Sequence, residues 1–251
     1  MNPYSSKPFK ALILAAGRGK RLEERTIETN KCLIPFNGRP LIEYSLENAI
    51  LAHVDEIVIV VGYLAEEIIN KYGTNYKGTT IKYCIQKEQK GLVHAIETSK
   101  NIIGDADFLL LLGDEFLIRP NYGPLLNLFF NENYFAVCGV IITKNRGDIS
   151  KTYSILFDDG KKRVYRLIEK PKNPSNNLMG TGNVIFKNAI FDFIPLTPVN
   201  QIRGEKELPD LIQCAIDDNR DVTFYTIGSE YVNVNTPEEI TRIRQSDLSE
   251  K

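Results

Sequence analysis

The chain has 251 residues, which suits one large domain with a well-buried core. Its 31 Lys and Arg residues balance 32 Asp and Glu residues, so the overall charge gives no reason to expect nucleic acid or an anionic membrane as a partner. A hydrophobic fraction of 43% excludes an intrinsically disordered chain, and no apolar run reaches the roughly 18 residues of a membrane-spanning helix.

The first half of the chain alternates between apolar runs and helical patterns. The opening ten residues are polar and precede a run too short for a signal-peptide core, so we expect a cytoplasmic protein. Apolar runs at 11–16, 57–61 and 108–112 each end at a glycine, as strands buried on both faces do. Between them, apolar residues recur at helical spacing from Leu41 to His53 and from Leu64 to Ile69. This alternation predicts an α/β fold with a Rossmann-like, mixed but mostly parallel sheet flanked by helices.

The second half of the chain has a different pattern of predicted strands and turns. Residues 153–157 and 163–168, separated by a turn at 158–160, predict a hairpin. A strand at 180–186, a helix at 207–216, a strand at 222–227 and a terminal helix from Thr236 follow. Because no linker separates the halves, we expect a single domain, 1–251, in which a small antiparallel lobe is attached to the parallel sheet.

A glycine-containing loop follows the first strand. It reads Leu14-Ala15-Ala16-Gly17-Arg18-Gly19-Lys20-Arg21-Leu22. Two glycines let backbone amides approach a phosphate chain, and three cations lie where an open α/β sheet places its ligand. Leu22 replaces the third glycine of the dinucleotide fingerprint, and the chain has no P-loop motif, so neither of those sites is supported. The loop therefore predicts a site for another kind of phosphate ligand.

The next segment, Asn30-Lys31-Cys-Leu-Ile-Pro-Phe-Asn-Gly-Arg-Pro-Leu-Ile42, carries a family resemblance. With the loop before it, it resembles the sugar nucleotidyltransferases, or nucleoside diphosphate sugar pyrophosphorylases, whose signature is L-x-x-G-x-G-x-R-L followed by P-K-x-L-x-P-x-x-x-x-P-L-I. Asn30 departs from the family's proline. The resemblance covers nearly the whole chain and implies that residues of about 8–145 bind a nucleoside triphosphate, while about 146–245 bind a phosphorylated small-molecule acceptor and end in the C-terminal helix.

Two cations in this region suit a triphosphate, because they offset the charge of a departing pyrophosphate. By resemblance, Arg21 stabilises the pyrophosphate and Lys31 binds the phosphates. The resemblance further implies that the loop residues Leu14, Ala15, Ala16, Gly17 and Gly19 bind the nucleotide.

A glutamine and a glycine follow the strand at 81–85. The Gln86 amide offers a donor and an acceptor, which suits the imide edge of uracil or thymine, and Gly91 lets the backbone approach the base. The Gln-x4-Gly pattern resembles the uridylyl and thymidylyl branches of the family, which favours UTP or dTTP. His94 is interpreted as a helix residue satisfied by local hydrogen bonds.

The predicted metal chemistry uses oxygen ligands. Four scattered cysteines and two histidines argue against a structural zinc site. Asp114 follows the buried strand 108–112, where a carboxylate can bind a hard cation that bridges phosphates. By resemblance, Asp114 is a Mg²⁺ ligand and Asn233 occupies the place of the family's second aspartate, with an amide oxygen in place of a carboxylate.

The acceptor site is predicted from Glu169-Lys170-Pro171, which resembles the family's E-K-P motif. A lysine suits an incoming phosphate and a glutamate suits sugar hydroxyls. The resemblance extends the site to Gly180, Thr181 and Glu207. Ser154 stands where the family usually has a glycine that contacts the sugar, so the acceptor site is expected to be narrower or rearranged.

The predicted activity is Mg²⁺-dependent condensation of UTP or dTTP with a sugar 1-phosphate, by in-line attack and with no covalent enzyme intermediate. The expected catalytic residues are Arg21, Lys31, Asp114 and Lys170. Two alternatives remain open: a cytidylyltransferase acting on a phosphorylated alcohol or unusual sugar phosphate, and a non-catalytic regulatory subunit. The oligomeric state is open, a homo-oligomer included. Because the chain ends soon after the terminal helix, no appended acyltransferase domain is expected.

Overall fold

The computed structural model describes residues 7–19 and 29–233. Of the predicted features, Arg21 and the terminal helix from Thr236 lie outside the described residues.

The first half of the described chain runs from β1 to β7. Its elements are β1 Phe9–Ala15, β2 Pro35–Phe36, β3 Arg39–Pro40, α1 Leu41–Leu51, β4 Glu56–Val61, α2 Ala65–Tyr72, β5 Asn75–Tyr76, β6 Thr79–Ile85, α3 Leu92–Thr98, α4 Lys100–Ile103 and β7 Asp107–Leu112.

The second half runs from β8 to β16. Its elements are β8 Glu115–Ile118, α5 Gly123–Phe130, β9 Ala136–Ile142, α6 Arg146–Ile149, β10 Tyr153–Phe157, β11 Val164–Glu169, β12 Leu178–Phe186, β13 Val199–Asn200, β14 Glu205–Lys206, α7 Leu208–Asp217, β15 Val222–Thr226 and β16 Glu230–Asn233. Two 3₁₀ turns, Lys31–Leu33 and Asn188–Phe193, complete the described elements.

A mixed sheet forms the centre of the molecule. Its parallel part has the order β7-β1-β4-β6, with β1 hydrogen-bonded to both β4 and β7. Strand β12 runs antiparallel to β7 and connects the sheet to β9 and to the hairpin β10–β11. The predicted α/β sheet is thus confirmed, and the predicted hairpin exists as an extension of the same sheet through β10 and β12.

The central strands β1, β4 and β7 are buried on both faces, which explains why their sequences are apolar apart from one charged residue near each start. Alternate residues enter two hydrophobic clusters, because successive side chains of a strand point to opposite faces. Leu12, Val58 and Leu110 belong to one cluster, while Ile13 and Ile59 belong to the other, all fully buried.

Besides several short elements, two longer ones were not predicted. Strand β9, with sequence AVCGVII, and helix α5, with sequence GPLLNLFF, are both largely buried against the sheet. Short apolar runs of this kind fit a strand or a buried helix equally well, so hydrophobicity alone did not separate them. Within the described residues, no helix has both the length and the apolar character needed to cross a membrane.

Candidate active site

A cleft of about 400 Å³ opens at the edge where β1 and β7 end. Parallel strands end at one edge, and ligands of open α/β sheets bind there. The predicted nucleotide-binding residues on this cleft are Leu14, Ala16, Gly17, Gly19, Gln86, Gly91 and Asp114. The structure therefore brings together, in one cleft, residues that are up to 100 positions apart in the chain.

The described part of the glycine loop lies open to the cleft. A Cβ added to Gly17 would meet no atom within 4 Å, and Gly19 has a φ of +64°, a left-handed conformation that favours glycine. The Arg18 guanidinium lies 5.3 Å from the centre of the Tyr63 ring. Ala15, by contrast, is in the core on the opposite face of β1, so its side chain does not line the cleft.

Lys31 and Asp114 form an ion pair beside the cleft. The Lys31 Nζ donates to Asp114 Oδ2 over 2.5 Å, with the lysine side chain only 8% exposed. Asn30 fixes the turn that carries Lys31: its side chain accepts from the Cys32 amide and donates to the Tyr63 carbonyl. Asn30 is fully buried, so the residue that departs from the family's proline anchors the loop by hydrogen bonds.

Glu115, next to Asp114, was not predicted as a site residue. Its buried carboxylate accepts from the Gly182 amide, from Asn183 Nδ2 at 3.1 Å and from the Tyr231 hydroxyl at 2.5 Å. Burial, against the opposing effect of the Tyr231 hydrogen bond, raises the pKa of Glu115 to about 8. The only sequence signal was a second acidic residue after the strand. The hydrogen-bond partners of Glu115 belong to β12 and β16, and the sequence does not predict that these strands lie beside Glu115.

Asn233 lies directly opposite Glu115 in the antiparallel pair β8–β16. Its side chain hydrogen-bonds Tyr231, which opposes the rise that burial causes in the Tyr231 pKa. Among residues 7–19 and 29–233 there is no group of three or more His, Cys, Asp or Glu side chains that could hold a metal. One carboxylate and one amide oxygen fit Mg²⁺, which is commonly bound by one or two protein oxygens together with substrate phosphates.

Gln86 lies at the end of β6 and is held in place by α3. Its Nε2 contacts the Gly91 carbonyl oxygen at 3.2 Å and His94 Nδ1 at 2.8 Å. Gly91 has a φ of +91°, and an added Cβ would lie 2.6 Å from Glu205 Oε2, so only glycine fits. The prediction that His94 is a hydrogen-bonded helix residue agrees with this geometry, although its partner is the predicted base-binding residue.

The E-K-P residues form a charged cluster with the segment before α7. Arg203 Nη2 lies 3.1 Å from Glu169 Oε1 and 2.7 Å from Glu207 Oε1. Lys170 Nζ lies 3.4 Å from the same Glu169 oxygen. Burial raises the pKa of Glu207, and the nearby Glu169 charge adds to that rise. Arg203 was not among the predicted site residues, although it lies four residues before the predicted Glu207.

The remaining predicted acceptor residues are buried in the sheet. Thr181 Oγ1 donates to the Gly139 carbonyl, and a Cβ on Gly180 would lie 2.2 Å from the Tyr153 ring. Ser154 is 1% exposed on β10. In the described structure, these three residues are accounted for by their packing within the sheet. Their contact with an acceptor stays a prediction.

The chain is similar to known proteins in sequence and in fold. The family model described as nucleotidyl transferase matches residues 10–249. The UTP–glucose-1-phosphate uridylyltransferase AglF of Haloferax volcanii is 31% identical over 92% of this chain and 93% of that protein. A glucose-1-phosphate thymidylyltransferase of Streptomyces griseus is 30% identical over 94% of this chain and 66% of that protein.

A solved UDP-glucose pyrophosphorylase in complex with UDP-glucose has the same fold, with a TM-score of 0.86 at 21% identity over 97% of this chain and all of that one. Since the family model covers most of the chain and a relative above 30% identity aligns along nearly all of both proteins, the chain belongs to the nucleotidyl transferase family and is an enzyme of that family, as its opening motifs predicted.

Proposed function

We propose that this enzyme condenses UTP or dTTP with a sugar 1-phosphate to give a nucleotide sugar and pyrophosphate. The observation that carries the proposal is the shared cleft: the glycine loop and Asp114 line it together with Gln86 and Gly91. The glycine loop and Asp114 suit a triphosphate, whereas Gln86 and Gly91 suit a nucleotide base. The uridylyl- and thymidylyltransferase relatives support the same reaction class.

In the proposed reaction, a phosphate oxygen of the acceptor attacks the α-phosphorus in line, and the bond to the pyrophosphate oxygen breaks. Positioning and charge neutralisation supply most of the acceleration in such transfers, so no covalent intermediate is needed. Burial and the Asp114 charge raise the pKa of Cys32 far above its ordinary value, which keeps this nearby thiol protonated and unreactive.

Lys31 is the described cation best placed for the phosphates. In the free enzyme the charge of Lys31 is balanced by Asp114. A bound triphosphate would therefore replace the Asp114 carboxylate as the partner of the Lys31 ammonium group. Arg21, outside the described residues, is proposed to contact the departing pyrophosphate.

Mg²⁺ is the proposed metal, and Asp114 and Asn233 would hold it. Bound there, it would neutralise charge on the phosphates. Asn233 is in register with Glu115 in the β8–β16 pair, and Asp114 directly precedes Glu115 in the chain.

The acceptor is proposed to bind at Glu169 and Lys170. A phosphate is attracted to the ammonium of Lys170, while the carboxylates of Glu169 and Glu207 suit sugar hydroxyls. Arg203, which pairs with both carboxylates, would hold them in position.

Pyrophosphate release tests the proposal. UTP, dTTP, CTP and GTP would each be mixed with Mg²⁺ and with a panel of sugar 1-phosphates and phosphorylated alcohols. We expect release with UTP or dTTP and a hexose 1-phosphate, abolished in Asp114→Ala. The matched control is Asp107→Asn, which alters a buried carboxylate at the opposite end of β7. Turnover with CTP alone, or nucleotide binding without turnover, would overturn the proposal.

A further inference from the structure

We propose that His94 is a specificity-determining positioning residue, which fixes the Gln86 amide so that only its carbonyl oxygen faces the nucleotide base. The enzyme would then select bases that carry a ring N–H at position 3, namely uracil and thymine, over cytosine. This inference rests on the proposed function, since it needs a nucleotide base in the cleft.

The orientation of the Gln86 amide follows from its two neighbours. A backbone carbonyl can only accept a hydrogen bond, so the group facing the Gly91 oxygen at 3.2 Å must be the NH₂. Rotating the amide by half a turn would bring two oxygens to that distance. The same NH₂ lies 2.8 Å from His94 Nδ1, which must therefore accept and leave the ring proton on Nε2.

Both hydrogens of the Gln86 NH₂ are thus used inside the protein. None of the hydrogen bonds that the structure describes is donated to Gln86 Oε1, and Gln86 lines the cleft. The side chain is 5% exposed, so a ligand that reaches it meets an acceptor held in a nearly water-free position. An acceptor pairs with the N3–H of uracil or thymine and is repelled by the unprotonated N3 of cytosine.

The hydrogen bond to His94 is needed because the Gly91 carbonyl alone does not fix the orientation of the Gln86 amide. With a single partner on the NH₂, the amide could rotate away from the Gly91 carbonyl and present nitrogen to the cleft. His94 lies on α3, whose first turn is fixed by the Gly91 carbonyl accepting from the Ala95 amide, and its own carbonyl accepts from Thr98 Oγ1. The helix therefore holds both acceptors of the Gln86 NH₂ in one rigid unit.

Two nearly isosteric variants test this role. Asn at position 94 can place an amide oxygen where His94 Nδ1 lies, whereas Leu places a methyl group there. We expect His94→Leu to reduce the kcat/KM ratio of the preferred UTP or dTTP over CTP by about tenfold, because one fixing hydrogen bond is lost. His94→Asn should keep most of the ratio. Glu97→Gln, at an exposed position of the same helix, is the control and should leave the ratio unchanged.

The outcomes separate this inference from the proposed function. An unchanged ratio in His94→Leu, or an equal loss in His94→Asn, would overturn the role of His94. A wild-type enzyme that prefers CTP would overturn the base selection yet leave nucleotidyl transfer standing, while absence of turnover with every nucleotide would overturn the proposed function. If His94→Leu does not fold, His94→Phe also lacks the acceptor and replaces it.

An independent readout is the ring tautomer of His94. In the wild-type enzyme in slightly alkaline buffer, ¹⁵N NMR should show an unprotonated Nδ1 and a protonated Nε2. The opposite tautomer would mean that His94 donates to Gln86, which would overturn the proposed orientation.

Discussion

At the residue scale, the buried Lys31 and the partly exposed Asp114 form an ion pair that is proposed to matter both with and without substrate. A charge-assisted hydrogen bond of 2.5 Å keeps both groups compensated while no substrate is bound. Both groups are also the proposed partners of a metal-bound triphosphate. If both roles hold, substrate would replace one ionic contact by another, and the buried Lys31 charge would stay paired in both states.

Lys31→Met tests this pair. We expect kcat/KM to fall by about 100-fold or more, because one preorganised positive group is removed from a site where negative charge develops. Steady-state kinetics with UTP or dTTP is the measurement. Lys10→Met, which removes an ion-paired lysine of β1 far from the cleft, should leave kcat/KM near the wild-type value. Wild-type kinetics in Lys31→Met would rule out its phosphate role.

Lys170 has a φ of +44°, a left-handed backbone conformation that costs a non-glycine residue about 1 kcal/mol. Lys170→Gly and Lys170→Ala both remove the ammonium, so each should raise the acceptor KM by about tenfold or more with little change in nucleotide affinity. The two variants should differ in thermal unfolding. Glycine relieves the backbone strain and alanine does not, so Lys170→Gly should unfold at a higher temperature than Lys170→Ala. Equal acceptor KM values in the wild type and both variants would exclude Lys170 from the acceptor site.

At the scale of elements, Gly182 within β12 and Gly17 in the loop after β1 are glycines for different reasons. A Cβ on Gly182 of β12 would lie 2.4 Å from Leu112 Cγ and 2.7 Å from Glu115 Oε1. Gly182→Ala should therefore lower the free energy of unfolding by about 1 to 3 kcal/mol through overpacking. Gly17→Ala meets no atom within 4 Å, so denaturant unfolding should be nearly unchanged while nucleotide affinity falls. Equal stability of the two variants would contradict this assignment.

A group of three charged side chains joins the strands β1, β4 and β6. Glu56 of β4 pairs with Lys10 of β1 at 2.9 Å and with Lys82 of β6 at 2.6 Å. Burial alone would raise the pKa of Glu56, but hydrogen bonds and charge from Lys82 and Lys10 together lower it below its ordinary value of 4.5. A lowered pKa stabilises the fold above about pH 4.5, and this stabilisation is lost as the pH falls through the folded-state pKa.

Glu56→Gln should accordingly cost about 1 to 2 kcal/mol at neutral pH. Urea unfolding of both proteins from neutral to acid pH is the measurement. The difference between them should shrink as the pH falls below 4.5. A difference that does not depend on pH would show that packing, and not the charge of Glu56, is responsible.

How far sequence could predict this molecule depended on how local the signal was. The strands at 57–61 and 108–112 and the hairpin at 153–168 were predicted because hydrophobic runs and turn residues reveal them locally. The insertion of β12 beside β7 was not, because strand neighbours depend on long-range packing. For the same reason Glu115 was not among the predicted site residues although its neighbour Asp114 was, since the donors to Glu115 lie 67 to 116 residues away along the chain.

For the whole molecule, the hairpin β13–β14 is the element that contacts both proposed substrate sites. Glu205 packs against Gly91 and lines the nucleotide cleft, while Arg203, two residues before it, pairs with Glu169 and Glu207 on the acceptor side. Asn200 connects to the turn between β13 and β14, because its side-chain oxygen accepts hydrogen bonds from the amides of Ile202 and Arg203. A shift of Glu205 on nucleotide binding would therefore be transmitted to the acceptor carboxylates.

We expect nucleotide and acceptor to bind with positive coupling that depends on Arg203. In the wild type, a non-hydrolysable UTP or dTTP analogue should tighten binding of the sugar 1-phosphate by about fivefold or more, within the usual range of coupling energies. Arg203→Gln should bring that factor close to one, because the hairpin loses its ionic contact with Glu169 and Glu207 while Glu205 still contacts Gly91. Calorimetric titration of the acceptor with and without the analogue measures both factors.

Lys206→Gln, in the same hairpin, is the control. The Lys206 ammonium donates to the Ile194 carbonyl, so this variant should leave the coupling intact. Coupling of equal size in Arg203→Gln would mean that the two sites communicate through the sheet instead, by way of the β7–β8 turn that carries Asp114.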